Sequence, residues 1–124
     1  MPVSTVAIWA GVTLVGGAGS VLRFMIDRAV ARRAARPFPF GTLTVNVSGA
    51  ALLAFIGELE LSREAALLIG TAFVGAYSTF STWMVETHRL GEERQTRAAL
   101  GNILLNITLG LAAVVLGQWA AGQL

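Results

Sequence analysis

Gly75-Ala76-Tyr77-Ser78-Thr79-Phe80-Ser81-Thr82-Trp83 lies in the middle of an uncharged run covering residues 65–85. The stretch brings a glycine, five hydroxyl side chains and three aromatic rings to membrane depth. Hydrocarbon offers no hydrogen-bond partners, so a loosened backbone persists there only inside protein or along a polar pathway. The segment therefore reads as the lining of a conduit, and the helix carrying it is expected to break near 75–78.

Three other uncharged runs surround it, at residues 2–22, 37–57 and 98–124. Each is long enough for a hydrocarbon core of ~30 Å, which needs about 20 residues. Only 13% of the 124 residues are charged, against about a quarter in soluble domains. The expected fold is an all-α integral membrane domain spanning 1–124, with helices at about 3–22, 42–57, 65–85 and 98–120. The first run lacks a basic leader and exceeds a signal core in length, so it is expected to remain as a helix. The absence of cysteine removes disulfides, thiolate metal sites and thiol catalysis. All nine basic residues are arginines. In so apolar a chain they signal topology and phospholipid contact, not nucleic acid.

Helix one carries Gly11, Gly16, Gly17, Gly19 and Ser20, a small-residue face suited to close packing in lipid. Arg28, Arg32 and Arg36 then repeat at i,i+4, predicting a short interfacial helix ended by Pro37 and Pro39. The short connection 58–64 makes helices two and three antiparallel neighbours, and 86–97 is the longest polar connection. Connections one–two and three–four hold Arg28, Arg32, Arg33, Arg36, Arg89, Arg94 and Arg97, whereas the other side holds only Arg63. The positive-inside rule puts both termini outside.

Individual residues carry paired readings. Asn46, at the midpoint of run two, is costly in lipid unless it faces protein or water; it is either interhelical glue or an anion donor. Gly75 is either a packing glycine or the start of an unwound turn whose carbonyls, with those of Ser78, coordinate a cation. Phe80 and Trp83, three apart, suit core packing, yet their positive ring edges also suit an anion. Asn102, Asn106 and Gly110, continued by Ala113 and Gly117, form one stripe on helix four that packs on a neighbour or extends a polar track. Arg23 can pair with Asp27 four residues on, or stand at a pore mouth. Glu86 is an interfacial cap or a vestibule carboxylate. His88 has no partners at metal spacing and reads as a solvated loop residue. No nucleotide loop, metal cluster or catalytic triad is present, so an enzyme is not expected.

In order and spacing, the chain resembles the small fluoride channels of the Fluc (CrcB-type) family. The matching pieces are residues 16–23 (GGAGSVLR), residues 41–49 (GTLTVNVSG) and the 75–83 string followed by Glu86. The family's string is Gly-Gly-x-Thr-Thr-Phe-Ser-Thr-Phe; here Ala76 replaces a glycine and Trp83 the second phenylalanine. Asn102 and Asn106 stand where the family has a tyrosine and a serine. The resemblance implies an antiparallel, inverted dimer in a prokaryotic plasma (inner) membrane, with two fluoride pathways and a central structural sodium. It assigns backbone carbonyls of Gly75 and Ser78 to sodium, Asn46 and Phe80 to fluoride, and Ser81 and Thr82 to a hydroxyl track. Trp83 and Asn106 fall on the same pathway, and Arg23 and Glu86 at its vestibule. The dimer partner is an identical chain or an oppositely oriented paralogue. Rival readings are a small multidrug-type cation/proton antiporter, which wants a membrane-buried carboxylate, and a membrane subunit without transport, which leaves the 75–83 cluster unexplained.

Overall fold

The computed structural model describes residues 2–124. Within them α1 spans Pro2–Ala34 and α2 spans Phe40–Gly57. The third span is segmented into α3 (Arg63–Ala66), a π-helical stretch (Leu67–Val74), α4 (Gly75–Tyr77) and α5 (Ser81–Glu92), and α6 covers Thr96–Gly122. Four helical segments, Ser4–Ala34, Phe40–Gly57, Arg63–Glu92 and Thr96–Gly122, are long and apolar enough to cross a bilayer. This is a multi-pass membrane protein.

Small residues decide which helices touch. Gly11 faces Leu68, Gly16 faces the Ala72 carbonyl and Ala76, and Gly19 faces the Phe73 carbonyl, so α1 runs parallel to the third span. Gly17 meets nothing and points away from this seam. Gly101 lies by Phe38, and Gly117 by the Ala51 carbonyl and the Phe55 amide, so α2 and α6 also run parallel. A side chain at Gly117 would strike backbone, which cannot retreat as a side chain can. Gly117→Val is therefore expected to lower the thermal midpoint, with overpacking costing about 1–3 kcal/mol. Gly110→Ala, where a Cβ meets nothing within 4 Å, should not lower it, since alanine is the better helix former. Thermal unfolding of the two variants, followed by tryptophan fluorescence, checks the contrast.

Two helix ends differ from expectation. No separate interfacial helix follows α1, because residues 23–34 contain neither glycine nor proline and continue it. It ends at Ala35, whose left-handed φ of 50° turns the chain toward Pro37. Likewise α5 runs past Val85 to Glu92, so His88 is helical, exposed and 2.9 Å from Glu92. That helix closes on Arg94 at φ 60°, with Gln95 N–H donating to Leu90 O at 2.9 Å, the 6→1 bond of a Schellman end.

Gly75 is not itself at the interruption of the third span. Its angles are helical, φ −60° and ψ −37°. The chain leaves the helix at Ser78, which is extended at φ −78° and ψ 160°, and resumes at Ser81.

Candidate functional site

Asn46 on α2 faces the Ser78–Phe80 interruption and explains why the helix stops there. The Thr79 N–H donates to Asn46 Oδ1 at 2.8 Å, and Asn46 Nδ2 donates to the Thr79 carbonyl at 2.8 Å. One carboxamide thus satisfies both backbone groups of a residue that has left the helix, each costly to strand in an apolar setting. The Thr79 hydroxyl, one residue before the N-cap position Phe80, accepts from Thr82 N–H at 3.2 Å, which satisfies one of the free N–H groups in the first turn of α5.

This exchange frees carbonyls on the other side. In an unbroken helix Thr79 N–H would serve Gly75 O; here it serves Asn46. The Ser78 N–H and hydroxyl both return to Val74 O, at 2.9 and 3.0 Å. Among the described residues no hydrogen-bond donor reaches the carbonyl of Gly75 or Ser78, as expected of orphan groups at a helix C-terminus.

From Asn46 a ladder of neutral polar groups runs along α6 and α5. Asn46 Nδ2 also donates to Asn106 Oδ1 at 3.4 Å. Asn106 Nδ2 donates to the carbonyl of Asn102 at 2.8 Å and to its Oδ1 at 3.1 Å. Asn102 Nδ2 donates to Thr87 Oγ1 at 2.9 Å and to the Trp83 carbonyl at 3.5 Å, and Thr87 Oγ1 donates to that same carbonyl at 2.8 Å. Backbone partners fix every amide's orientation, so all three point their donors along the ladder in one sense. Asn102 and Asn106 are buried, and no member of the ladder is charged.

Phe80 and Trp83 stand beside the ladder, edge to face, with centroids 5.6 Å apart and planes at 89°. Trp83 Nε1–H donates to the Asn102 carbonyl at 3.0 Å, so the indole is fastened to α6. Phe80 is 69% exposed on the protomer. An open cleft of about 310 Å³ brings Asn46, Ser78, Thr79, Phe80, Trp83 and Asn106 together. A second, of about 410 Å³, holds Gly75 with Ser78.

Other expected site residues lie elsewhere. Ser81 is exposed, 3.5 Å from the Thr79 hydroxyl, and neither it nor Thr82 lines the cleft. Arg23 forms no ion pair with Asp27; its Nε is buried without a hydrogen-bond partner, as are Thr42 Oγ1 and Glu86 Oε1. Asp27 instead meets Gly41, the close approach where α2 crosses α1. Thr79 and Thr87 were missed by sequence reasoning. Thr79 carried no cap signature, since Thr82 is not the Glu or Gln of a capping box, whereas Thr87 was legible by sharing a helix face with Trp83 at i,i+4.

Fold and site define a small multi-pass membrane protein with a ladder of neutral polar groups beside the interruption of its third span. The family described as CrcB-like protein, Camphor Resistance (CrcB), matches residues 10–118, and the chain belongs to that family. It is 71% identical over 118 residues to a "Fluoride-specific ion channel FluC 2" of Mycolicibacterium paratuberculosis, covering 95% of this chain and 97% of that protein. A Mycobacterium tuberculosis (strain ATCC 25618 / H37Rv) protein of the same name is 68% identical over 117 residues, covering 94% and 93%. The "Fluoride-specific ion channel FluC 1" of Leifsonia xyli is 39% identical over 115 residues, covering 90% and 84%. This family sets the chain among ion channels rather than enzymes.

Proposed function

We propose that this chain forms a passive, fluoride-selective channel that lets cytoplasmic fluoride leave a prokaryotic cell across its plasma (inner) membrane. The observation that carries the reading is the neutral ladder from Thr79 through Asn46, Asn106 and Asn102 to Thr87, beside the exposed Phe80 edge. Fluoride is small and holds water tightly, so a pore must replace its hydration with several donors and still release it. Amide N–H groups, hydroxyls and the positive edge of an aromatic ring do so without a trapping cation. Asn46 has one strong bond, at 2.8 Å, and one weak one, at 3.4 Å; the proton on the weak one is the donor an anion takes most easily. A proton-coupled antiporter needs an acid on its pathway, and the ladder holds none.

The working unit is an antiparallel dimer in this reading, because Phe80 and both clefts open outward from a single protomer. The carbonyls of Gly75 and Ser78 suit a structural sodium. They are hard oxygen ligands with no internal donor, at the end of a half-helix whose dipole favours a cation. Supplied by both protomers, such ligands would tie the dimer together through backbone alone. Ser78→Ala is therefore expected to stay dimeric in sodium, because the carbonyl remains. Dissociation of that variant on gel filtration would assign the role to the hydroxyl instead.

Purified protein in fluoride- and chloride-loaded liposomes, with a potassium ionophore as shunt, tests the proposal. Fluoride electrodes should record rapid efflux without a pH gradient while chloride stays inside. Efflux that requires a proton gradient would favour the antiporter.

A further inference from the structure

Two apolar clefts meet at the corner where α1 hands over to α2, and arginines rim both. The first, of about 520 Å³, lies between Val30, Arg33 and Ala34 on α1 and Phe40 and Thr44 on α2. The second, of about 300 Å³, lies between Phe38 and Phe40 on one side and Ala98 and Leu105 of α6 on the other. Arg36 borders both clefts, and no carboxylate lines either. Among the described residues the one ion pair is His88–Glu92, so neither Arg33 nor Arg36 has a carboxylate partner. Arg28, by contrast, is occupied over the Phe24 ring at 5.5 Å.

Depth matters as much as charge. The 18 residues of α2 extend about 27 Å at 1.5 Å per residue, close to the ~30 Å thickness of the hydrocarbon core. Its first turn, with Phe40 and Thr44, therefore stands at one membrane boundary, and both clefts open at that level. Guanidinium groups there present forked donors matched to phosphate oxygens, with an apolar groove on either side. We infer that this corner binds an anionic phospholipid, its phosphodiester on Arg33 and Arg36 and an acyl chain in each cleft. The two uncompensated positive charges select an anionic headgroup over a zwitterionic one. This site is independent of ion permeation and of the channel reading.

Native mass spectrometry of the purified full-length chain, titrated separately with phosphatidylglycerol, phosphatidylcholine and inorganic phosphate, tests the inference. Phosphatidylglycerol should be retained in preference to phosphatidylcholine, and inorganic phosphate should neither bind comparably nor displace it. Each arginine near an anionic headgroup contributes about fivefold, so R33Q/R36Q should lose roughly 30-fold in affinity. R63Q, at the opposite membrane face, should bind as the parent does, and R33K/R36K should retain most binding. If R33Q/R36Q does not stay folded, Arg36→Gln alone, in the exposed connector, should still lose about fivefold. Undiminished binding by the neutralised variants, or equal binding of inorganic phosphate, would overturn the lipid site.

Discussion

Asn46→Asp should all but stop fluoride permeation, slowing it about a thousandfold. A carboxylate placed about 4 Å from a passing anion repels it by about 4 kcal/mol at an effective dielectric constant of 20, and each 1.36 kcal/mol is a factor of ten in rate. The replacement also removes both Nδ2 donors, to Thr79 O and Asn106 Oδ1, while still accepting from the Thr79 N–H. The interruption at Ser78 is thus expected to survive and the variant to remain folded and able to form the proposed dimer. Fluoride-electrode rates from vesicles, normalised to dimer by gel filtration, give the answer. Full flux through a dimeric Asn46→Asp protein would take Asn46 off the route. Phe80→Ala offers a milder comparison: the ring is mostly exposed on the protomer, so its loss should reduce flux more than stability.

Nearly every copy of this chain in the cell should present its C-terminus outside. Seven arginines gather at one end of the spans, from Arg28 in the last turns of α1 to Arg36 and from Arg89 near the end of α5 to Arg97 at the start of α6, against Arg63 alone at the other end. A dimer of opposed identical subunits requires one sequence to insert both ways, which near-balanced basic residues permit and this bias opposes. The partner we propose in the cell is therefore a paralogue of reversed bias, able to supply pathway groups that differ here at Trp83, Asn102 and Asn106. Labelling a C-terminal tag in intact cells and again after permeabilisation measures the split. Equal populations in the two orientations would contradict the fixed-orientation reading and restore the homodimer.

The spans were legible because apolar length is a property of composition, but their ends were not. Charge ended the hydrophobic runs at Arg23 and Glu86, whereas the helices continue to Ala34 and Glu92, since arginine and glutamate are good helix formers at a membrane boundary. The cost of burying Asn46 was visible from its position. Its partner was not, because Thr79 lies 33 residues away and only tertiary packing brings them together. Gly75 drew attention as a helix breaker, yet the helix breaks at Ser78, where a side chain competes successfully for a backbone N–H. The stripe through Asn102, Asn106, Ala113 and Gly117 was legible as one face with two open uses. The fold uses its glycine end for packing and its asparagine end for the ladder. The fastening of the Trp83 indole to the Asn102 carbonyl left no trace in spacing.

The reversal potential of protein-dependent current across a bilayer, with fluoride on one side and an equal concentration of chloride on the other, tests the central claim most directly. Passive, fluoride-selective permeation predicts a reversal potential displaced far from zero, with the sign set by the fluoride gradient and unchanged when a pH gradient is imposed. A reversal near zero, or one that follows the pH gradient, would contradict it.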